Sequence, residues 1–290
     1  MNIFSSDALK GKTAVVTGAA RGLGRTAAVA LAQAGSDIIG IDIAGAVSPI
    51  LEVVPATVAE LEDTGESVRN AGRRWLAIRL DQRDINALRR TAEQIKKEFG
   101  GLDIVFANAG IQSFKPLLEM EDADWHDQID VNLSGTANVL RVFAPLLVER
   151  GAGRIIVTSS TQGRHGTKFG ASYSASKWGV IGLMKSASLE LGKYKITVNA
   201  IVPGLIDTPM TRHEQRYAQA LETSGKEPTG DVEKDEAAAR KVLLNKSPLG
   251  VPWIKPEAIA TMVVFLASDA AAMISGATLD VTGGDSANNV

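Results

Sequence analysis

A tyrosine and a lysine, Tyr173 and Lys177, stand four positions apart in "YSASK", and two serines, Ser159 and Ser160, precede them in "TSS". A phenol beside an ammonium group is a candidate proton donor and acceptor. A nearby cation favours the phenolate and lowers the pKa of a tyrosine from its ordinary value of about 10. On a helix, a spacing of four places both side chains on one face. The alternative is that two long side chains are simply neighbours on a helix surface.

The composition is that of an ordinary globular protein. The chain has 290 residues, of which 45% are hydrophobic and 22% charged, with a formal net charge of −2 and no cysteine. This charge gives no long-range attraction to nucleic acid or to an anionic membrane, and the lack of cysteine excludes disulfides and thiolate metal sites. We expect a soluble, cytoplasmic protein, because the N-terminus lacks the apolar core of a signal peptide and no apolar run approaches about 20 residues. Three scattered histidines suggest no metal site: His126, His165 and His213.

Short apolar or β-branched runs alternate with amphipathic stretches along the whole chain. This alternation predicts an α/β fold, a doubly wound parallel sheet of Rossmann type with helices on both faces, in three layers αβα. Several strands are apolar throughout, as a sheet covered on both sides requires. We interpret residues 1–290 as a single domain. The predicted strands are 13–18, 37–42, 74–81, 102–110, 154–160, 196–204 and 276–284, with helices at 24–35, 85–100, 124–150 and 173–191.

Two stretches interrupt this alternation. Residues 43–56 place more chain between the second strand and its helix than a short connection needs. Residues 205–255 form a longer excursion with a charged run at 225–241. That run is either a solvated helix face or part of a lid, since it follows the carboxyl end of a strand, where ligands bind in open α/β sheets.

A glycine-rich turn, "TGAARGLG", follows the first strand and opens the first helix. Gly18, Gly22 and Gly24 allow a tight turn and close approach to a ligand, and a helix start offers free N–H groups to a pyrophosphate. Asp42 ends the second strand, where a carboxylate can accept hydrogen bonds from ribose hydroxyls and would repel a 2′-phosphate. Arg21 argues the other way, because a guanidinium could bind that phosphate. We favour NAD over NADP, and a glycine turn without a ligand is the alternative.

With these residues in view, the chain resembles a short-chain dehydrogenase/reductase from about residue 9 to 284. The motifs of that family occur in order: "TGAARGLG", Asp81, "NAG" at 108–110, Asn132, "SS" at 159–160, "YSASK" and "PGLIDT" at 203–208.

The resemblance assigns a role to each matching residue. It implies that Tyr173 is the general acid/base, that Lys177 lowers its pKa and binds the nicotinamide ribose, and that Ser160 polarises the substrate oxygen. Asn132 would anchor a water in the proton relay, or serve as a polar residue at a helix break, or both; Ser159 would be structural. Val131 is a weaker candidate for the nicotinamide pocket. The cofactor contacts implied are Gly18, Arg21, Gly22, Leu23, Gly24, Asp42, Asp81 (to the adenine), Gln82, Asn108, Ala109, Gly110, Tyr173, Lys177, Pro203, Gly204, Ile206 and Thr208 (to the carboxamide).

Two segments, 43–56 and "LGVPWIKPEAIA" at 249–260, resemble the carveol dehydrogenase-like branch, whose members act on cyclic terpenoid alcohols. The resemblance implies an NAD-dependent oxidoreductase interconverting a cyclic secondary alcohol and a ketone. Some members of this branch retain NAD and pass electrons to a separate redox partner, which residues 43–56 would favour if they cover the adenosine end. The substrate wall is predicted from loop position at Gln112, Gln162, Phe169, Leu205 and Trp253.

Alternatives remain. The substrate could be an acyl thioester, a sugar or a steroid, and the same fold could serve as a non-catalytic NAD-binding module or an interaction protein. The complete set of Asn132, Ser160, Tyr173 and Lys177 favours the enzyme. Family precedent also leads us to expect a homotetramer, packed through the helices at 124–150 and 173–191.

Overall fold

A parallel β-sheet forms the centre of the computed structural model, which describes residues 7–288. Its strands are β1 (Thr13–Thr17), β2 (Asp37–Asp42), β3 (Trp75–Arg79), β4 (Ile104–Ala107), β5 (Gly153–Thr158), β6 (Ile196–Pro203) and β7 (Thr278–Val281). They lie in the order β3-β2-β1-β4-β5-β6-β7, so the strand order reverses beside β1, as in doubly wound folds. All seven predicted strands are present, each within a few residues of its predicted bounds, and the predicted fold class is confirmed.

Helices cover both faces of the sheet. The α-helices among residues 7–288 are α1 (Gly22–Gln33), α2 (Val58–Asn70), α3 (Ile85–Phe99), α4 (Asp122–Ile129), α5 (Thr136–Arg150), α6 (Ala171–Leu191), α7 (Glu214–Thr223), α8 (Val232–Lys246) and α9 (Pro256–Ala267).

The side chains of each strand alternate between two cores. Ala14 and Val16 of β1 pack into one core with residues of α1 and α9, such as Leu31 and Val263. Val15 points to the opposite face, into a core that contains residues of α3, α5 and α6. Because both faces are covered, β1, β4 and β6 are buried along their whole length, which explains their continuous apolar sequences.

One continuous helical stretch, Asp122–Arg150, joins α4 to α5 through a π-helical turn at Asp130–Gly135. By length and composition it could cross a membrane, because its most apolar 18 residues have a mean hydropathy of 1.3. This differs from the expectation that no such run exists. However, 56% of that window is buried, and Val139, Phe143 and Leu147 belong to the core beneath the sheet. The stretch is therefore a core helix whose length and composition also meet the criteria for a membrane-spanning helix.

The excursion at 205–255 contains α7 and α8, which pack over the carboxyl ends of the strands. They share a small core of their own, centred on Tyr217, Ala239 and Trp253, in which the Tyr217 and Trp253 rings meet edge to face at 6.1 Å. Most of α8 is exposed or half-buried, so the charged run is largely a solvated face. The same helix lines the central cavity beyond the run, through Val242 and Leu243, and a role of the run as a lid stays a prediction.

Candidate active site

A cavity of about 630 Å³ runs along the carboxyl edge of the sheet. It begins at the end of β1, passes the ends of β2, β4, β5 and β6, and is bounded above by the segment 43–56 and by α7. Its volume lies in the range of small-molecule and cofactor sites. The predicted cofactor and substrate residues lie along its wall, with two exceptions, Gly24 and Phe169.

The glycine turn leaves the start of α1 open to an anion. Gly18 and Gly22 have φ of +70° and +57°, in the left-handed region that glycine adopts without strain. Arg21, at the N-cap of α1, makes no capping hydrogen bond and the first turn has no acidic residue, whereas Thr57 and Asp84 cap α2 and α3. The N–H groups at the start of α1 are therefore available, and this cradle fits a pyrophosphate.

Gly24 lies behind the turn rather than in the cavity wall. A Cβ at this position would come within 1.9 Å of the Gly18 carbonyl oxygen. Gly24 therefore lets α1 pack against the end of β1, and its direct contact with the cofactor stays a prediction.

At the end of β2, Asp42 is held by two backbone donors. Its carboxylate accepts hydrogen bonds from Ala20 N at 3.0 Å and Ala44 N at 2.8 Å. The guanidinium of Arg21 donates to the Val54 carbonyl at 2.6 Å, across the mouth of the cavity. The carboxylate thus lines the site in a fixed position, while Arg21 is tied to the segment 43–56.

Asp81 is part of a bridge to the same segment. It accepts three hydrogen bonds from Arg83, at 2.6 to 2.9 Å, and Arg83 also donates to the Val47 carbonyl at 2.9 Å. The hydrogen bond to Asp81 raises the pKa of Arg83. Beside this bridge, Gln82 donates to the carbonyls of Ala109 and Val131. Its Oε1 is buried and has no hydrogen-bond partner within residues 7–288.

The "NAG" motif is fixed at the floor of the cavity. Thr17 Oγ1 accepts from the backbone N–H groups of Asn108 and Ala109, both at 3.0 Å. The Asn108 side chain donates to the Thr17 carbonyl and accepts from Thr158 Oγ1. Asn108 therefore cross-links β1, β4 and β5 at the point where all three strands end.

Tyr173 and Lys177 lie on α6 and both face the cavity, with only 6% and 4% of their surface exposed. The Lys177 Nζ donates to the Thr158 carbonyl at 3.0 Å and lies 5.5 Å from the centre of the Tyr173 ring. The alternative of two neighbours on a helix surface is therefore wrong.

Burial decides the pKa values of this pair. It raises the pKa of Tyr173 to about 12, although a hydrogen bond with Ser160 and the charge of Arg216 act in the opposite direction. Burial also lowers the pKa of Lys177 to about 8. With the groups of the chain alone, the lysine loses its proton at a lower pH than the tyrosine. Burial is the largest influence on the pKa of Tyr173, and the lowering of this pKa by Lys177 stays a prediction.

The two serines at the end of β5 differ in role. Ser159 Oγ donates to the Lys177 carbonyl at 3.0 Å and so holds α6 against the sheet. Ser160 lines the cavity, accepts from Gln162 N at 3.2 Å and acts to lower the pKa of Tyr173. The geometry thus brings Ser160 and Tyr173 together at one point of the wall.

Asn132 is fully buried in the π-helical turn and is not part of the cavity wall. Its side chain accepts from Ile111 N at 2.8 Å and donates to the Ile111 carbonyl and to Ser176 Oγ. Asn132 therefore serves as a polar residue at the helix break, because its hydrogen bonds join the break to the segment after β4 and to α6. A part in proton transfer stays a prediction.

On the substrate side, Gln112, Gln162, Leu205 and Trp253 line the cavity as predicted. Phe169 does not. Its backbone has φ of +68°, its carbonyl accepts from Lys115 N at 2.8 Å and its ring lies under the Lys168 ammonium. Phe169 is therefore not among the residues of the cavity wall.

Of the three histidines, His165 is part of the cavity wall. Within residues 7–288, no group of three or more histidine and carboxylate side chains is placed to hold a metal.

Sequence reasoning missed Arg216, a half-buried guanidinium of α7 that lines the cavity. It lies over the Phe114 ring at 4.6 Å and donates to Gln219. Burial lowers its pKa to about 10, opposed by the charges of Glu52 and Tyr173. Burial also raises the pKa of Glu52, which approaches Arg216 from the segment 43–56. No motif marks this arginine, because its position depends on how the excursion folds back over the sheet.

Comparison with known proteins agrees with this geometry. Residues 12–219 match the family model for short chain dehydrogenases. A (-)-trans-carveol dehydrogenase from Rhodococcus erythropolis is 36% identical over 280 residues, covering 95% of this chain and 98% of that protein. A 3-oxoacyl-acyl-carrier-protein reductase from Thermotoga maritima is 32% identical over 276 residues, covering 95% and 98%. The crystal structure of carveol dehydrogenase from Mycobacterium avium in complex with NAD has a TM-score of 0.89 and 35% identity, covering 96% and 99%. The protein belongs to the short chain dehydrogenase family and, within it, to the carveol dehydrogenase-like branch.

Proposed function

We propose that the protein is an NAD-dependent oxidoreductase that interconverts a cyclic secondary alcohol and its ketone. The observation that carries this proposal is the meeting of Ser160, Tyr173 and Lys177 in one cavity that continues to an uncapped, glycine-rich helix start. A non-catalytic module or an interaction protein would not need a buried phenol and lysine at the end of a nucleotide cleft.

In alcohol oxidation, the Ser160 hydroxyl holds the substrate oxygen and the Tyr173 phenolate accepts the proton of the substrate hydroxyl. The carbinol C–H bond then breaks, its electron pair leaves as hydride, and the C=O bond forms. NAD, when bound, supplies the acceptor for that hydride. In the reverse direction the Tyr173 phenol donates its proton to the carbonyl oxygen, and a pKa of about 12 keeps it protonated at neutral pH.

Lys177 and Asn132 support this proton transfer. Lys177 is positioned by the Thr158 carbonyl and is the group of α6 that would hold the nicotinamide ribose. Asn132 fixes the segment after β4, beside Gly110, where a Cβ would lie 3.6 Å from Lys177 Nζ and 3.0 Å from Asn132 Oδ1. A glycine at this position keeps the approach to the lysine open.

The choice of NAD over NADP rests on Asp42 and Arg21. The Asp42 carboxylate is fixed by two backbone N–H groups at the end of β2, where the ribose of a dinucleotide lies in this fold. The negative charge of this carboxylate would repel the 2′-phosphate of NADP. The opposing guanidinium of Arg21 already donates to Val54.

The segment 43–56 favours slow exchange of the cofactor. It is joined to the nucleotide half by Arg21 and Arg83 and to the substrate half through Glu52, which accepts from Phe114 N at 2.7 Å. Release of a dinucleotide would require these bonds to break, and a separate redox partner would then reoxidise the bound cofactor. Dialysed protein that contains no NAD and turns over added NAD freely would refute this idea.

The function is tested by NADH formation from added NAD over a panel of cyclic secondary alcohols. We expect turnover in the wild type and a loss of about 10²–10⁴-fold in Tyr173→Phe, since a positioned proton acceptor contributes about that much. Tyr194→Phe, at an exposed tyrosine beyond α6, is the matched control and should keep full activity. Undiminished activity in Tyr173→Phe would contradict the mechanism.

A second substrate class is a 3-oxoacyl thioester. The similarity to the Thermotoga maritima reductase, 32% identity over 95% of this chain, favours including it in the panel. Reduction of a 3-oxoacyl thioester with no activity on cyclic alcohols would move the assignment to this class.

The homotetramer also stays a proposal. Trp125 of α4 and Trp178 of α6 are exposed by 40% and 53%, which is unusual for such large apolar side chains. Both lie on the helices that family precedent places at subunit contacts. Light scattering should give about four times the chain mass of 30.6 kDa; a monomer mass would refute the proposal.

A further inference from the structure

Three hydrogen-bond donors in the substrate half of the cavity are buried without an acceptor. They are Arg216 Nε, Gln219 Nε2 and Trp253 Nε1, and none has a hydrogen-bond partner in the part of the chain that the structure describes. All three residues line the cavity. A buried donor without a partner destabilises a fold by about 1–3 kcal/mol, so this wall lacks part of its hydrogen bonding. The residue that brings a charge to the wall is Arg216.

The Arg216 guanidinium also lacks a bound counter-charge. Its hydrogen bond is to the neutral amide of Gln219, and no carboxylate within residues 7–288 forms an ion pair with it inside 4.0 Å. Arg212, one helical turn earlier, differs: it pairs with Glu236 and Asp207 and stacks on the Trp253 ring. Arg212 lies just before α7 and is neutralised, whereas Arg216, on α7, lines the cavity without an ion-pair partner among residues 7–288.

Glu52 neutralises Arg216 only in part. Its carboxylate accepts from Phe114 N at 2.7 Å and lies 3.8 Å from His213 Nε2. Burial disfavours its charged form and raises its pKa. Arg216 keeps its proton at neutral pH, with a pKa of about 10. The guanidinium of Arg216, stacked on the Phe114 ring, thus carries a positive charge in the wall of the cavity.

Arg216 and the reacting groups share one cavity, and the charge of Arg216 acts on the Tyr173 phenol. A substrate whose reacting oxygen lies at Ser160 and Tyr173 would therefore occupy a cavity whose wall includes Arg216. Guanidinium groups bind carboxylates through two parallel hydrogen bonds, which gives both affinity and orientation.

We propose that Arg216 binds a carboxylate of the substrate, so that the enzyme acts on a cyclic hydroxy acid or the corresponding keto acid. This inference rests on the proposed dehydrogenase function and narrows its substrate class. Arg216 is then the residue that distinguishes anionic from neutral substrates of the same shape.

The first experiment measures binding without turnover. Calorimetry at saturating NAD compares cyclohexanecarboxylate with cyclohexanecarboxamide, which has nearly the same shape and no charge. We expect the carboxylate to bind at least about tenfold more tightly to the wild type. This preference should disappear in Arg216→Gln and persist in Arg212→Gln, the matched control whose charge is already neutralised.

A second variant, Glu52→Gln, should change the preference for the carboxylate in the direction opposite to Arg216→Gln. Glu52→Gln removes the one carboxylate that acts on Arg216 and keeps an oxygen for Phe114 N. It should strengthen the preference for the carboxylate. This result does not depend on whether Arg216→Gln folds well.

Turnover then separates the two proposals. We expect 4-hydroxycyclohexanecarboxylate to be oxidised with a higher kcat/KM than its carboxamide, and this ratio should fall at least about tenfold in Arg216→Gln. Turnover of both compounds with no preference would overturn the carboxylate site and leave the dehydrogenase intact. A binding preference lost in Arg216→Gln, with no turnover of either compound, would overturn the alcohol substrate and keep the anion site. Equal binding of both ligands to the wild type would overturn the inference directly.

Discussion

Replacing Lys177 by methionine should remove a pH-dependent instability from the fold. Burial lowers the pKa of this lysine from 10.5 to about 8, a difference of 2.5 units. Each unit corresponds to about 1.36 kcal/mol, so the folded state loses about 3 kcal/mol by holding the ammonium form. Methionine fills similar space and carries no charge.

The sign of the effect follows from proton counts. Below pH 8 the lysine is protonated in both the folded and the unfolded state, and the full destabilisation is present. Between pH 8 and 10.5 the unfolded state holds more protons than the folded state, so the wild type gains stability as the pH rises. The stability difference between Lys177→Met and the wild type should therefore shrink over this window, by up to about 3 kcal/mol.

The measurement is urea unfolding of both proteins at pH 7, 8, 9 and 10, at one protein concentration. The methionine variant also loses the hydrogen bond to the Thr158 carbonyl, but that loss does not vary with pH, so the slope and not the absolute difference is diagnostic. Lys185→Met, at an exposed lysine further along α6, should show no such slope. A difference between Lys177→Met and the wild type that stays constant from pH 7 to 10 would refute the buried ammonium.

Three further predictions concern the cofactor turn, cofactor choice and catalysis. Gly24→Ala should destabilise the fold by about 1–3 kcal/mol in urea unfolding, because its Cβ would lie 1.9 Å from the Gly18 carbonyl oxygen. In the control Gly182→Ala the new Cβ meets nothing within 4 Å, so the stability should not change in this way. A free energy of unfolding of Gly24→Ala equal to that of the wild type would contradict the packing. Asp42→Asn should raise the ratio of kcat/KM for NADP to that for NAD about tenfold, and an unchanged ratio would remove Asp42 from cofactor choice. The rate of alcohol oxidation should rise between pH 7 and 10, because the Tyr173 phenolate becomes more populated as the pH approaches about 12; a flat profile would argue against this proton acceptor.

The sheet could be predicted because its signal is local. Strands such as β1 and β6 are buried on both faces, so they must be apolar throughout, and this pattern stands out between amphipathic helices. Asn108 could be placed for a related reason, since residues at the carboxyl ends of parallel strands converge in doubly wound folds. The single-domain assignment, the tetramer and the cytoplasmic location stay predictions.

The features that sequence reasoning missed depend on contacts distant in the chain. The backbone conformation at Phe169 is left-handed, and its carbonyl accepts a hydrogen bond from Lys115 N, which lies more than fifty residues earlier. Gly24 shares its motif with two glycines of the cavity wall, and only the fold shows that it packs behind them. Arg216 faces the cavity only because α7 folds back over the strand ends. Whether the pKa of Tyr173 is raised or lowered depends on how deeply the phenol is buried, and the four-residue spacing to Lys177 contains no information about burial.

The charges around the Tyr173 phenol suggest which direction of the reaction this chain favours. Lys177 has a pKa of about 8 and has lost its proton before the phenol ionises, whereas the charge of Arg216 acts on the phenol directly. A substrate carboxylate bound to Arg216 would compensate that charge, and the phenol would become still harder to ionise. The proton would then stay on the tyrosine until a carbonyl oxygen takes it. At neutral pH the reduction of a keto acid would therefore begin with Tyr173 in the form that burial already prefers, whereas oxidation of a hydroxy acid would first require the phenol to lose its proton.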